Sequence, residues 1–78
     1  MENNKINTPV KPYGKGELAT MYVGPSVPEN TARKWLAKEL KSYPGLMEEL
    51  RRLGYNPRQH AFTIAQVRAI FEAIGEPS

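Results

Sequence analysis

The sequence predicts an all-α domain, a compact bundle of four short helices whose first half is helix-turn-helix-like, in the manner of a winged helix, with room for a minor β-ribbon near 55–62. Three observations predict it. Apolar residues recur at three- and four-residue steps in four separate segments, the spacing that lines one helical face. Gly or Pro closes each segment, at Gly24-Pro25, Pro44-Gly45, Gly54, and Gly75 with Pro77. At 78 residues the chain has room for one core only, since so short a chain buries roughly 60% of the surface its unfolded form exposes.

Residues 1–12 read as a disordered N-terminal tail, because Ile6 and Val10 are the only apolar groups after Met1 among Asn, Lys, Thr and the prolines Pro9 and Pro12. Deletion up to Lys11 is expected to leave the thermal midpoint nearly unchanged. A single helical domain then spans 13–77. Its first helix covers roughly 15–22, with Leu18, Met21 and Tyr22 on one face and Ala19 where a neighbour can come close. Ser26-Val27-Pro28-Glu29 has the Ser-x-x-Glu form of a capping box, so a second helix is expected over about 27–42. Ala32, Trp35, Leu36, Leu40 and Tyr43 form its apolar stripe, with Trp35 in the core.

Leu46, Met47, Leu50 and Leu53 make the inward stripe of a third helix that ends at Gly54. Asn56-Pro57 marks a turn or short extended connection from Tyr55 to Ala61. Thr63-Ile64-Ala65-Gln66 is a second capping box. It opens a fourth helix whose apolar face is Ile64, Val67, Ile70, Phe71 and Ile74, with Phe62 placed to staple onto it.

Composition narrows the chemistry. Cysteine is absent and all 8 acidic residues are Glu, which removes disulfides, thiolate metal sites and every mechanism built on Asp. His60 is the only histidine and reads as an exposed loop residue. No catalytic residues, no cofactor, no metal and no small-molecule substrate are expected. The start lacks the apolar stretch of a signal peptide and no run is long enough to span a membrane, so the expected location is the cytoplasm, with no membrane partner.

A helix-turn-helix register can be tested by spacing. With Ala19 as the small residue of the support helix, a tight turn would bury Glu29, which is costly without a partner. A turn three residues longer places Ala32 and Trp35 inward instead. Asn30, Arg33 and Lys34 then project near the start of the second helix, with Lys38 and Lys41 further along. Between Arg33 and Arg68 there are 8 basic and 3 acidic residues, a surplus that phosphate neutralisation would use. Arg58, at the tip of the Asn56-Pro57 corner, could reach a backbone phosphate as a wing residue does.

Glu17-Leu18-Ala19-x-x-Tyr22 with Thr31-Ala32-Arg33-Lys34-Trp35-Leu36 resembles the helix-turn-helix half of MerR-like and excisionase-like regulators. Phe62-Thr63-x-x-Gln66-Val67-x-x-Ile70 is similar to the aromatic-Thr entry of their later helix. The chain departs from that pattern in its long turn over 24–28 and in a full helix where a compact wing is expected. A closer resemblance, over Tyr13 to Pro77, is to a family of small bacterial proteins catalogued as domain of unknown function forty-two forty-eight. The residues that carry it are Tyr13-Gly14-Lys15-x-Glu17-Leu18-Ala19, Pro44-Gly45-Leu46, Leu53-Gly54-Tyr55-Asn56-Pro57, Phe62-Thr63-x-x-Gln66-Val67-Arg68-x-Ile70 and Gly75-Glu76-Pro77. That resemblance implies no biochemical activity.

Two functions remain open on the sequence. One is a non-catalytic module binding duplex DNA, in which Asn30, Arg33 and Lys34 meet base edges or phosphates while Lys38, Lys41 and Arg58 meet phosphates. The other is a protein-interaction or assembly module that offers a protein partner an apolar helical groove. The abundance of Leu, Met and Tyr relative to so small a core motivates it.

Overall fold

The computed structural model describes residues 8–77. The elements run β1 (Tyr13–Gly14), α1 (Lys15–Val23), α2 (Glu29–Ser42), α3 (Leu46–Arg52), β2 (Ala61–Phe62) and α4 (Ile64–Ile74). Four helices therefore surround one core, joined by a minimal antiparallel ribbon in which Tyr13 faces Phe62 and Gly14 faces Ala61. The ribbon was expected within 55–62, and only its second strand lies there. Its partner comes from the head of the domain, because residues 55–60 are folded into a turn.

α1 follows the predicted span to within one residue. α2 does not open on Ser26. Its N-cap is Pro28, no side chain caps it, and the first helical residue is Glu29. The Pro28 ring keeps Val27 out of helical geometry, so the helix begins too late for Ser26 to reach its amides. Asn30 substitutes in part, its Oδ1 accepting the Thr31 N–H at 2.9 Å. The break after α2 needs Gly45, whose φ of +79° is a left-handed conformation that side chains disfavour.

α4 starts where the capping box places it. The Gln66 N–H donates to Thr63 Oγ1 at 3.3 Å, and Gln66 Oε1 accepts the Thr63 N–H at 3.1 Å. Phe62 and Val67 share the core as the staple requires. Ile64, expected on the apolar face, is instead 50% exposed, since the inward face runs through Val67, Ile70 and Phe71.

The core is assembled from Leu18 and Ala19 of α1, Ala32, Leu36 and Leu40 of α2, and Leu46 and Leu50 of α3. Phe62 and the inward face of α4 close it, with Tyr13 packed at its edge. Trp35 is not a central member. It is half-buried at the rim, its ring centroid 5.7 Å from that of Tyr22, because Leu36 holds the inward direction of α2.

Residues 1–7, part of the expected tail, lie outside the described residues. Of the remaining five, Thr8, Pro9 and Val10 are tied to the folded domain. The Thr8 N–H donates to a Glu76 carboxylate oxygen at 2.7 Å and its hydroxyl to the Pro77 carbonyl at 3.2 Å. The Tyr13 hydroxyl donates to the Pro9 carbonyl at 2.7 Å, and Val10 packs against the core.

Candidate nucleic-acid interface

α2 presents two differently charged sides. At about 100° per residue, the inward direction set by Ala32, Leu36 and Leu40 leaves Asn30, Lys34, Lys38 and Lys41 on the opposite arc. All four are exposed. Among the described residues no carboxylate forms an ion pair with Lys34, Lys38 or Lys41. The Asn30 side chain is partly committed to its own helix through the Thr31 amide.

Arg33 lies on the flank of α2, 3.7 Å from Glu29, with both side chains more than half exposed. Such an exposed pair contributes little and is easily exchanged for another partner. Across from it stands the turn that carries Arg58. Asn56 organises that turn: its Oδ1 accepts the Arg58 N–H at 2.8 Å and its carbonyl accepts the Gln59 N–H at 3.0 Å. The Gln59 side chain accepts the Asn56 N–H at 2.9 Å and donates to the Gln66 Oε1 at 2.6 Å. Gln66 is buried to 1% exposure and also donates to the Leu53 carbonyl at 3.2 Å. Arg58 is thus mounted on a turn tied to the start of α4.

Arg33 and Arg58 line one polar cleft of about 350 Å3, together with Lys15, Glu17, Glu29 and His60. Lys34 and Lys38 are not among its walls. Of the six residues expected to contact nucleic acid, the structure therefore gathers two in the cleft and sets Asn30, Lys34, Lys38 and Lys41 on the adjoining helix face.

Lys15 escaped the sequence reading. Its ammonium donates to the Pro57 carbonyl at 2.7 Å and sits 4.9 Å from the centre of the Tyr55 ring, while its N–H donates to the His60 carbonyl at 3.0 Å. Only the pairing of 13–14 with 61–62 brings it to this turn, and no local pattern signals that pairing.

Arg52 of α3 is differently placed. Arg52 is hydrogen-bonded to Glu49 through two nitrogens, and that carboxylate pushes the guanidinium further above its ordinary pKa. This two-point pair is tighter than the single 3.7 Å contact between Arg33 and Glu29, so Arg52 is the less available of the two for a phosphate. Among the described residues no group of three or more His, Cys, Asp or Glu is placed to hold a metal. Among the described residues no helix is long and apolar enough to cross a membrane.

Fold and surface together define a small, mostly α-helical domain with one basic helix face and an adjoining polar cleft. The chain belongs to the family described as domain of unknown function DUF4248, whose model matches residues 9–77. No curated protein and no solved structure matches the chain.

Proposed function

We propose that this protein is a non-catalytic DNA-binding module of helix-turn-helix type, with α1 as the supporting helix and α2 as the helix that meets duplex DNA. The observation that carries this reading is the exposed arc of α2 bearing Asn30, Lys34, Lys38 and Lys41 without an ion-paired carboxylate among the described residues. On it Asn30, Arg33 and Lys34 meet base edges or phosphates, and Lys38, Lys41 and Arg58 meet phosphates. The location that goes with this reading is the bacterial cytoplasm. A gel shift on duplex DNA tests it: binding in the micromolar range at about 50 mM salt that is lost in K34A/K38A/K41A supports the reading, and no binding by the unaltered protein rejects it.

A second reading, a protein-interaction module, is favoured by one observation. Ile64 is 50% exposed and borders an apolar surface with Leu53, Ala65 and Ala69 between α3 and α4. A measured mass in solution separates the two readings: a concentration-dependent dimer that I64K returns to monomer supports the second.

A further inference from the structure

We propose that the cleft between the start of α1, the first turns of α2 and the 56–60 turn binds one phosphate group through Arg33 and Arg58, with the Glu29 carboxylate as its built-in competitor. The proposal rests on the DNA reading only for the source of the phosphate, since the cleft geometry itself does not depend on duplex binding.

Cations from three distant parts of the chain converge here. Lys15, Arg33 and Arg58 face two carboxylates, Glu17 and Glu29, in the same cleft. Their roles differ. Lys15 has its ammonium committed to the Pro57 carbonyl and the Tyr55 ring, so it organises the wall. The Arg58 side chain is exposed on a turn whose backbone is already hydrogen-bonded. Among the described residues Arg33 pairs with Glu29 alone, at 3.7 Å. Guanidinium groups match phosphate oxygens with paired N–H donors, and a tetrahedral phosphate can offer different oxygen edges to two of them, which a planar carboxylate cannot do as well.

Glu29 supplies the second, independent observation. Its carboxylate lies so close to Gly16 that a Cβ there would be 2.0 Å from Oε2, and Gly16 is buried. The absence of a side chain at Gly16 lets the carboxylate pack directly against the first turn of α1. Glu29 therefore holds an anion in the cleft and touches Arg33 at the same time. Because both side chains of that pair are more than half exposed, an incoming phosphate displaces the carboxylate at little cost.

Two substitutions act on the competitor without touching the core. Glu29→Gln removes its charge. Gly16→Ala keeps the charge and pushes the carboxylate off α1, since the clash is with the end of a flexible side chain. The full-length protein, labelled with 15N, is titrated by NMR with inorganic phosphate and separately with a short DNA duplex, at constant ionic strength set with chloride. The expected result is saturable shifts of the Arg33 and Arg58 side-chain Nε–H signals and of the Gly16 amide. Glu29→Gln should tighten binding about two- to fivefold, Gly16→Ala should act in the same direction, and Arg58→Ala should remove saturation.

If phosphate saturates the cleft but the duplex does not bind, the DNA reading fails and the cleft stands. If the duplex binds through Lys34 and Lys38, while neither probe responds to Arg58→Ala or Glu29→Gln, the cleft proposal fails and the DNA reading stands. Weaker binding in Glu29→Gln overturns the competitor role outright.

Discussion

Gln66 shows how much of this fold turns on one buried amide. Its side chain serves the Thr63 amide, the Gln59 side chain and the Leu53 carbonyl at once, joining the α4 cap, the Arg58 turn and the end of α3. Replacing it by Leu keeps the bulk and strands the Thr63 amide and the Leu53 carbonyl, while the Gln59 amide keeps the Ala61 carbonyl at 2.7 Å, so Gln66→Leu should cost about 2–3 kcal/mol in urea denaturation. A loss under about 0.5 kcal/mol would show that water serves those groups equally well. Its capping role is legible in Thr63-x-x-Gln66, but its other partners lie on a loop whose path no local pattern reveals. Trp35 teaches the converse, because a stripe of Ala32, Trp35 and Leu36 leaves the exact inward direction open by one residue. Tyr22, which Trp35 packs against, donates its hydroxyl to the Gly75 carbonyl, and burial, then the charge of Glu76 and the neighbouring Tyr43, push its pKa up. A raised pKa means the folded state keeps a proton that the unfolded state loses. Tyr22 should therefore leave stability flat up to about pH 10, the ordinary tyrosine value, and withdraw it above. Thermal melts of Tyr22→Phe should show a shallower alkaline fall, and an unchanged slope would remove Tyr22 from the account.

At the scale of elements, the two Ser/Thr-x-x-Glu/Gln boxes separate cleanly. Thr63 caps α4; Ser26 caps nothing, for the proline two residues on delays α2. Thr63→Ala should cost about 1 kcal/mol, and Ser26→Ala should stay within about 0.5 kcal/mol. Equal losses would mean that α2 begins earlier than Glu29. α2 and α4 are legible because each carries its own 3.6-residue period, and α1 and α3 because Gly or Pro brackets them. The ribbon partner is not, since two residues of strand at 13–14 have no period to read. The contacts of Thr8 are hidden for the same reason, since its partners come from the far end of the chain. Those contacts change the expected effect of truncation. Removing residues 1–11 takes away Val10 and the Thr8 hydrogen bonds, and should lower stability by about 1–2 kcal/mol, or on the order of 4–8 °C per kcal/mol in a domain this small. An unchanged midpoint would show the contacts to be energetically neutral.

For the molecule as a whole, one small core fixes α2 with its apolar stripe inward and its lysines outward. That part of the candidate site is legible because it lies within a single helix: Asn30, Lys34, Lys38 and Lys41 follow from the apolar stripe by subtraction. The cleft is not legible, because Lys15, Glu29 and the Arg58 turn meet only through the pairing of 13–14 with 61–62 and the packing of α1 on α2. On the function we propose, the outward face of α2 meets duplex DNA. The most direct test is the salt dependence of duplex binding by the unaltered protein and by K34A/K38A/K41A, with the fold of each checked by circular dichroism. All three positions are exposed, so the variant should fold. Micromolar binding is expected at about 50 mM salt and should weaken steeply as salt rises, with the log–log slope falling by roughly one unit for each contact removed. No binding by the unaltered protein, or a folded triple variant with the same affinity and slope, would contradict it.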